Sequence, residues 1–173
     1  GSSLAMVAAA SPDINEKVYS LIFFGGYYNI LDYLNALATK SYVLDGKKIP
    51  WQPQKDGVNH ARGILETEGL KLEQLEKAEE IPKSQKNALL NLSPDQKIRT
   101  YKAPIFILHE KSDTFVPYVE SEKLKSALEG RVPLVYHQAN LFEHVQPTKD
   151  SSPEVIKEFA GLFVFLYQIF LYL

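Results

Sequence analysis

The chain has no cysteine, so it holds no disulfide, no thiolate nucleophile and no cysteine-based zinc site, a composition suited to a reducing compartment such as the cytoplasm. It has no excess of either charge: 19 basic residues face 21 acidic ones, and no basic stripe marks a nucleic-acid partner. Neither G-x-G-x-x-G nor a Lys-Ser/Thr after Gly25-Gly26 is present, which removes the common phosphate-binding loops. Internal repeats and low-complexity tracts are missing too. The start, Gly1 to Met6, lacks the basic residues that open a signal peptide. What remains is 173 residues, 45% hydrophobic and 23% charged, enough for one globular domain with a core.

Periodicity sets out the elements. Ser3 to Ala10 is small and apolar and predicts a helix that ends at Ser11-Pro12-Asp13. Val18 to Phe24 is β-branched and aromatic and stops at Gly25-Gly26, as a buried parallel strand would. Tyr27 to Leu37 reads as a helix with Ile30, Leu34 and Leu37 on one face, and Ser41 to Val58 reads as loop around Pro50, Trp51 and Pro53. Asn59 to Leu92 predicts two or three charged helices. Ile105 to His109 is the clearest strand, followed by a helix over Glu120 to Leu128, a strand over Val132 to His137 and a helix from Pro153 to Leu173. This order predicts an α/β fold, parallel strands with crossover helices and a helical lid inserted at about 38–98, all in one partial domain spanning 1–173. Three strands alone leave a sheet edge unpaired, so a preceding segment or a second chain is expected to complete it.

The last charged residue is Glu158, and Phe159 to Leu173 is 15 apolar or uncharged residues, short of the roughly 20 that span a bilayer. A terminal helix packed on the sheet is the first reading. Membrane or partner contact through 159–173 is the second, because Phe and Leu fall all round the helix.

The chemistry-bearing residues lie in the C-terminal half. Ala103-Pro104-Ile105-Phe106-Ile107-Leu108-His109 runs into a loop bearing Asp113-Thr114-Phe115-Val116-Pro117, and 31 residues after Asp113 stands His144, within Phe142-Glu143-His144-Val145. A buried carboxylate that fixes the tautomer of a histidine base is how a weak hydroxyl nucleophile is activated. Asp113 also reads as a cap for the helix beginning near Tyr118, and His144 as an ordinary loop histidine. His109 reads as a satisfied strand-end residue, His60 and His137 as surface or lid residues, and Asp32 as a weaker alternative acid. His109, Asp113 and His144 lack a fourth ligand for zinc, and the sequence calls for no cofactor. Tyr27, Tyr28, Trp51 and Phe115 suit either core packing or an apolar acyl or aryl group.

These segments resemble the α/β-hydrolase superfamily, in particular bacterial esterase-like and dienelactone-hydrolase-like members. Gly1 to Pro12 resembles the helix after the nucleophile elbow; Phe23-Phe24-Gly25-Gly26-Tyr27-Tyr28 resembles the strand and loop before the lid. Leu92-Ser93-Pro94, Ala103-Pro104-Ile105 and the loops of Asp113 and His144 resemble the later part of the fold, although Glu110 stands where the family often carries glycine. The resemblance implies a serine hydrolase acting on esters or related acyl bonds, with Asp113 and His144 in its triad and the serine just before Gly1. A weaker G-x-S-x-A alignment, Gly1-Ser2-Ser3-Leu4-Ala5, makes Ser3 the nucleophile, and Gly1-Ser2 also matches the remnant of a cleaved tag. The competing expectation is a non-catalytic relative that binds a small molecule, a partner or a membrane.

Overall fold

A computed structural model describes residues 1–140 and 153–172. Its centre is a three-stranded parallel sheet in the order β1 (Leu21–Phe24), β4 (Ile105–Glu110), β5 (Leu134–Ala139). Ile22 pairs with Phe106 and Phe106 with Val135, so every strand presents its odd or even residues to one common face. β4 is buried nearly throughout, which explains its unbroken run of Ile, Phe and Leu.

On one face, α1 (Ser2–Ala9) and α5 (Val119–Leu128) cover the sheet. Met6, Phe23, Ile105, Ile107, Leu124 and Leu128 form that core. On the other face lies α6 (Pro153–Tyr172), whose Phe165 and Ile169 pack on Phe106. Each such buried side chain contributes about 1.5–3 kcal/mol. Tyr172 also meets Phe106, and Phe165 and Gly161 lie against His137, so α6 touches the sheet along one flank. Phe163 and Phe170 are 69% and 72% exposed, so the expectation of a helix simply packed on the sheet holds for one flank alone.

A second core stands over the carboxyl ends of β1 and β4. It joins α2 (Ile30–Thr39), α3 (Lys55–Thr67), a 3-10 helix over Leu72–Glu80 and α4 (Lys83–Leu90) to the loop residues Tyr27 and Val116. Asn29 caps α2, its Oδ1 accepting from the N–H groups of Leu31 and Asp32. The predicted loop over 41–58 is corrected in part. β2 (Ser41–Leu44) and β3 (Lys47–Pro50) form an antiparallel hairpin, closed by Asp45 and Gly46, both at positive φ. Asp-Gly suits that turn because it tolerates the left-handed conformation at both positions.

Among the described residues no strand pairs with the outer edge of β1. Ser2 Oγ accepts from the Phe24 N–H at 3.0 Å and donates to its C=O at 2.7 Å, standing in for a strand partner there. Ile22 and Phe24 remain about half exposed on the face that α6 leaves uncovered.

Candidate functional site

The loop after β4 is built around Asp113. Its Oδ1 accepts from the N–H groups of Phe115 at 2.6 Å and Val116 at 3.1 Å, folding the loop back on itself. Asp113 therefore caps its own loop rather than α5, whose N-terminus has no side-chain cap. From outside, Trp51 Nε1 donates to the Asp113 carbonyl at 2.9 Å and the Gln54 N–H donates to Thr114, tying the loop to the exit of the hairpin.

His109 is fully buried beneath this loop. Its Nε2 lies 3.1 Å from the Val116 carbonyl and 3.3 Å from Asp113 Oδ2. A carbonyl only accepts, so Nε2 carries the hydrogen and donates it to Val116, with Asp113 Oδ2 in close electrostatic contact beside it. Its Nδ1 is sealed and has no partner among the described residues. The expected strand-end role for His109 is thus refined: it steadies Asp113 from below and does not reach the surface.

The Asp113 side chain is 17% exposed and faces a cavity of about 490 Å³. Gly25 approaches it so closely that an added Cβ would lie 3.2 Å from Oδ2, and Gly25 also needs positive φ. The N-terminal turn of α1, through Gly1, Ser3 and Leu4, forms another wall. Tyr27, Tyr33, Ile64, Phe115 and Val116 supply apolar surface, and His60 on α3 stands at the rim. The site lies at the carboxyl ends of parallel strands, where open α/β sheets commonly place ligands.

Of the residues singled out from sequence, the structure brings Asp113, His109, Tyr27 and Phe115 to this place. His144 lies outside the described residues. Ser3 lines the cavity but is 2% exposed, and its Oγ accepts from the Tyr27 N–H at 2.8 Å. Tyr28 faces the α1–α5 core instead, and Trp51 acts as a loop anchor. Asp32 is ion-paired with Lys123 at 2.8 Å and lines a separate cavity. His137 sits on β5 against Phe165, with ring centres 5.8 Å apart. No group of three metal-ligating side chains occurs among the described residues.

Three contributors were not anticipated. His60 carried no sequence signal. Tyr33 falls on the helical face already marked by Ile30 and Leu37, at spacings of three and four, so periodicity alone places it inward. Glu120 is 2% exposed, and its Oε2 accepts from the N–H groups of Tyr28 and Asn29 at 3.1 and 2.9 Å. Burial pushes its carboxyl up, against the pull of Lys123 and the Asn29 N–H. Burial alone would lower the Lys123 ammonium, but the Glu120 and Asp32 carboxylates outweigh it and the net direction is up. Ser93 completes the clamp by accepting from the Ile30 N–H at 2.9 Å.

No family model matches this chain, and no curated protein matches it in sequence.

Proposed function

We propose that this chain carries the acid and base of a serine hydrolase acting on carboxylic esters or related acyl bonds, in an α/β-hydrolase fold whose lid is the segment at 38–98. The observation that carries the reading is the meeting of the Asp113 carboxylate with the first turn of α1 across Gly25, in one cavity at the carboxyl edge of the sheet. An elbow serine ahead of such a helix would have its hydroxyl in that cavity and the helix N–H groups beside the developing oxyanion.

In this scheme Asp113 keeps Oδ2 for the imidazole of His144, since Oδ1 serves the two backbone N–H groups while Oδ2 only lies 3.3 Å from His109 Nε2. His144 takes the serine proton as Oγ attacks the carbonyl carbon, then returns it to the departing alkoxide. Water, deprotonated by the same imidazole, releases the acid from the acyl-enzyme. The serine is assigned two positions ahead of Gly1, which stands as the second glycine of the elbow motif. Ser3 fits the role less well, being sealed and already engaged by Tyr27. The same preceding segment, or a second chain, would also supply a strand for the outer edge of β1.

The test is labelling by a fluorophosphonate probe. A polypeptide extended ahead of Gly1 by its own residues should label, and His144→Ala should abolish it; an extended protein that stays unlabelled supports a non-catalytic binding protein instead.

A second reading attaches to α6. It is 20 residues long, and the 18-residue apolar window within it has a mean hydropathy of 1.5 with only 11% buried, which fits contact with a lipid surface. Phe163→Ser with Phe170→Ser should abolish flotation with anionic vesicles while leaving the melting temperature unchanged, both side chains being exposed. Flotation that survives the double substitution would remove α6 from this role.

A further inference from the structure

We infer that Tyr33 is a substrate-recognition residue, donating its phenolic hydrogen to an uncharged acceptor oxygen of a ligand whose apolar body packs in the Asp113 cavity. The inference rests on the hydrolase reading for its word substrate, but its geometry stands without it.

Tyr33 is 5% exposed, and its ring stacks on Tyr27 with centres 5.3 Å apart and planes 9° from parallel. The two phenols are treated differently. Tyr27 donates its hydroxyl hydrogen to the Leu92 carbonyl at 3.2 Å and is thereby occupied. Tyr33 lines the cavity, its hydroxyl makes no hydrogen bond to a described residue, and that oxygen is not among the sealed unpaired polar atoms. A hydroxyl that reaches the cavity without a protein partner can donate to a ligand, and a ligand that seals it without offering an acceptor leaves it unpaired at a cost in free energy. Burial, with Tyr27 and the Asp113 carboxylate adding to it, pushes this phenol up to about 12, so it presents hydrogen at any ordinary pH.

The walls define the rest of the ligand. Leu4, Phe24, Tyr27, Ile64 and Phe115 offer aliphatic and aromatic contact, and about 490 Å³ accommodates a single ring with a short chain. Among the described residues no lysine or arginine lines the cavity, while Asp113 does. A free carboxylate or phosphate would meet the Asp113 charge, offset in part by the N–H groups at the start of α1, whereas a neutral ester would meet no such repulsion. The site is therefore assigned to neutral acyl esters bearing an aryl or branched alkyl group.

Three small probes test this by direct binding, followed by titration calorimetry or by NMR, with no need for turnover. Acetophenone offers a neutral carbonyl, α-methylstyrene has nearly the same shape without the acceptor, and benzoate carries a charge. Tyr33→Phe keeps the stacked ring and removes only the hydroxyl. The ratio of dissociation constants, α-methylstyrene over acetophenone, should fall about tenfold from the natural protein to Tyr33→Phe. Benzoate should bind at least about tenfold more weakly than acetophenone to the natural protein at neutral pH. An unchanged ratio, no saturable binding of acetophenone, or a preference for benzoate would each overturn the inference. If the fluorophosphonate labelling fails while the ratio still falls, the hydrolase reading is lost and Tyr33 keeps its binding role; if labelling succeeds and the ratio does not move, Tyr33 alone is wrong.

Discussion

Replacing Glu120 by alanine removes one carboxylate that three donors share. Tyr28 and Asn29 would lose the acceptor of their N–H groups, at 3.1 and 2.9 Å, and Lys123 would lose a partner at 2.5 Å. Each buried donor left unpaired costs about 1–3 kcal/mol, and the pair with Lys123, whose side chain is 37% exposed, adds at most about 1 kcal/mol. These terms overlap, because Lys123 keeps Asp32 in reach at 2.8 Å and turns toward water. The expected loss is about 3–5 kcal/mol, a large share of a domain's stability. Glu120→Gln retains an acceptor oxygen for the two N–H groups and removes a charge that burial disfavours, so about 1–2 kcal/mol is expected. Urea unfolding gives both values as shifts of the midpoint at constant slope. The substitution also frees the loop that carries Tyr27 to the cavity, so acetophenone affinity should fall in Glu120→Ala. A loss below about 1 kcal/mol, or equal damage from glutamine and alanine, would refute the reasoning.

Three further outcomes are expected. Gly25→Ala forces a side chain into positive φ, at about 1–2 kcal/mol, and places Cβ 3.2 Å from Asp113 Oδ2, so thermal stability and probe labelling should drop together. Trp51→Phe removes the donor to the Asp113 carbonyl and should lower stability by about 1 kcal/mol in the same urea assay. Burial pushes Tyr27 and Tyr33 up to about 12, so the unfolded chain ionises first: their contribution is intact below about pH 10 and is lost as pH rises toward 12. Tyr101 shifts the same way, and Tyr101→Phe should flatten the alkaline decline of the urea midpoint.

The elements that sequence reveals best are those whose pattern is set by burial on both sides. β4 is continuous Ile-Phe-Ile-Leu because it lies in mid-sheet, and its boundaries were legible to within one residue. The acid loop was legible because Pro104, the strand and Val116-Pro117 bracket it. The hairpin at 41–50 was not, although Asp45-Gly46 is a strong turn signal; prolines on either side of Trp51 drew the segment toward loop. The first strand begins at Leu21 rather than Val18, since the chain pairs with β4 only from Leu21 onward. Glu120 could not be read from sequence. A glutamate in the first turn of a helix usually faces water, and only the folded loop after β1 turns this one into a buried acceptor. Tyr33 is hidden in plain periodicity, because a tyrosine on a core face reads as packing until the fold places it in the wall of a cavity.

The central claim is that Asp113 orients the catalytic histidine, and Asp113→Asn tests it most directly. The extended protein and this variant would be compared for the rate of fluorophosphonate labelling across pH, with circular dichroism to verify the fold. The asparagine can no longer hold the imidazole in its productive tautomer, so labelling near neutral pH should slow by about 10³- to 10⁴-fold with the fold intact. A folded variant that labels at the natural rate would contradict the account.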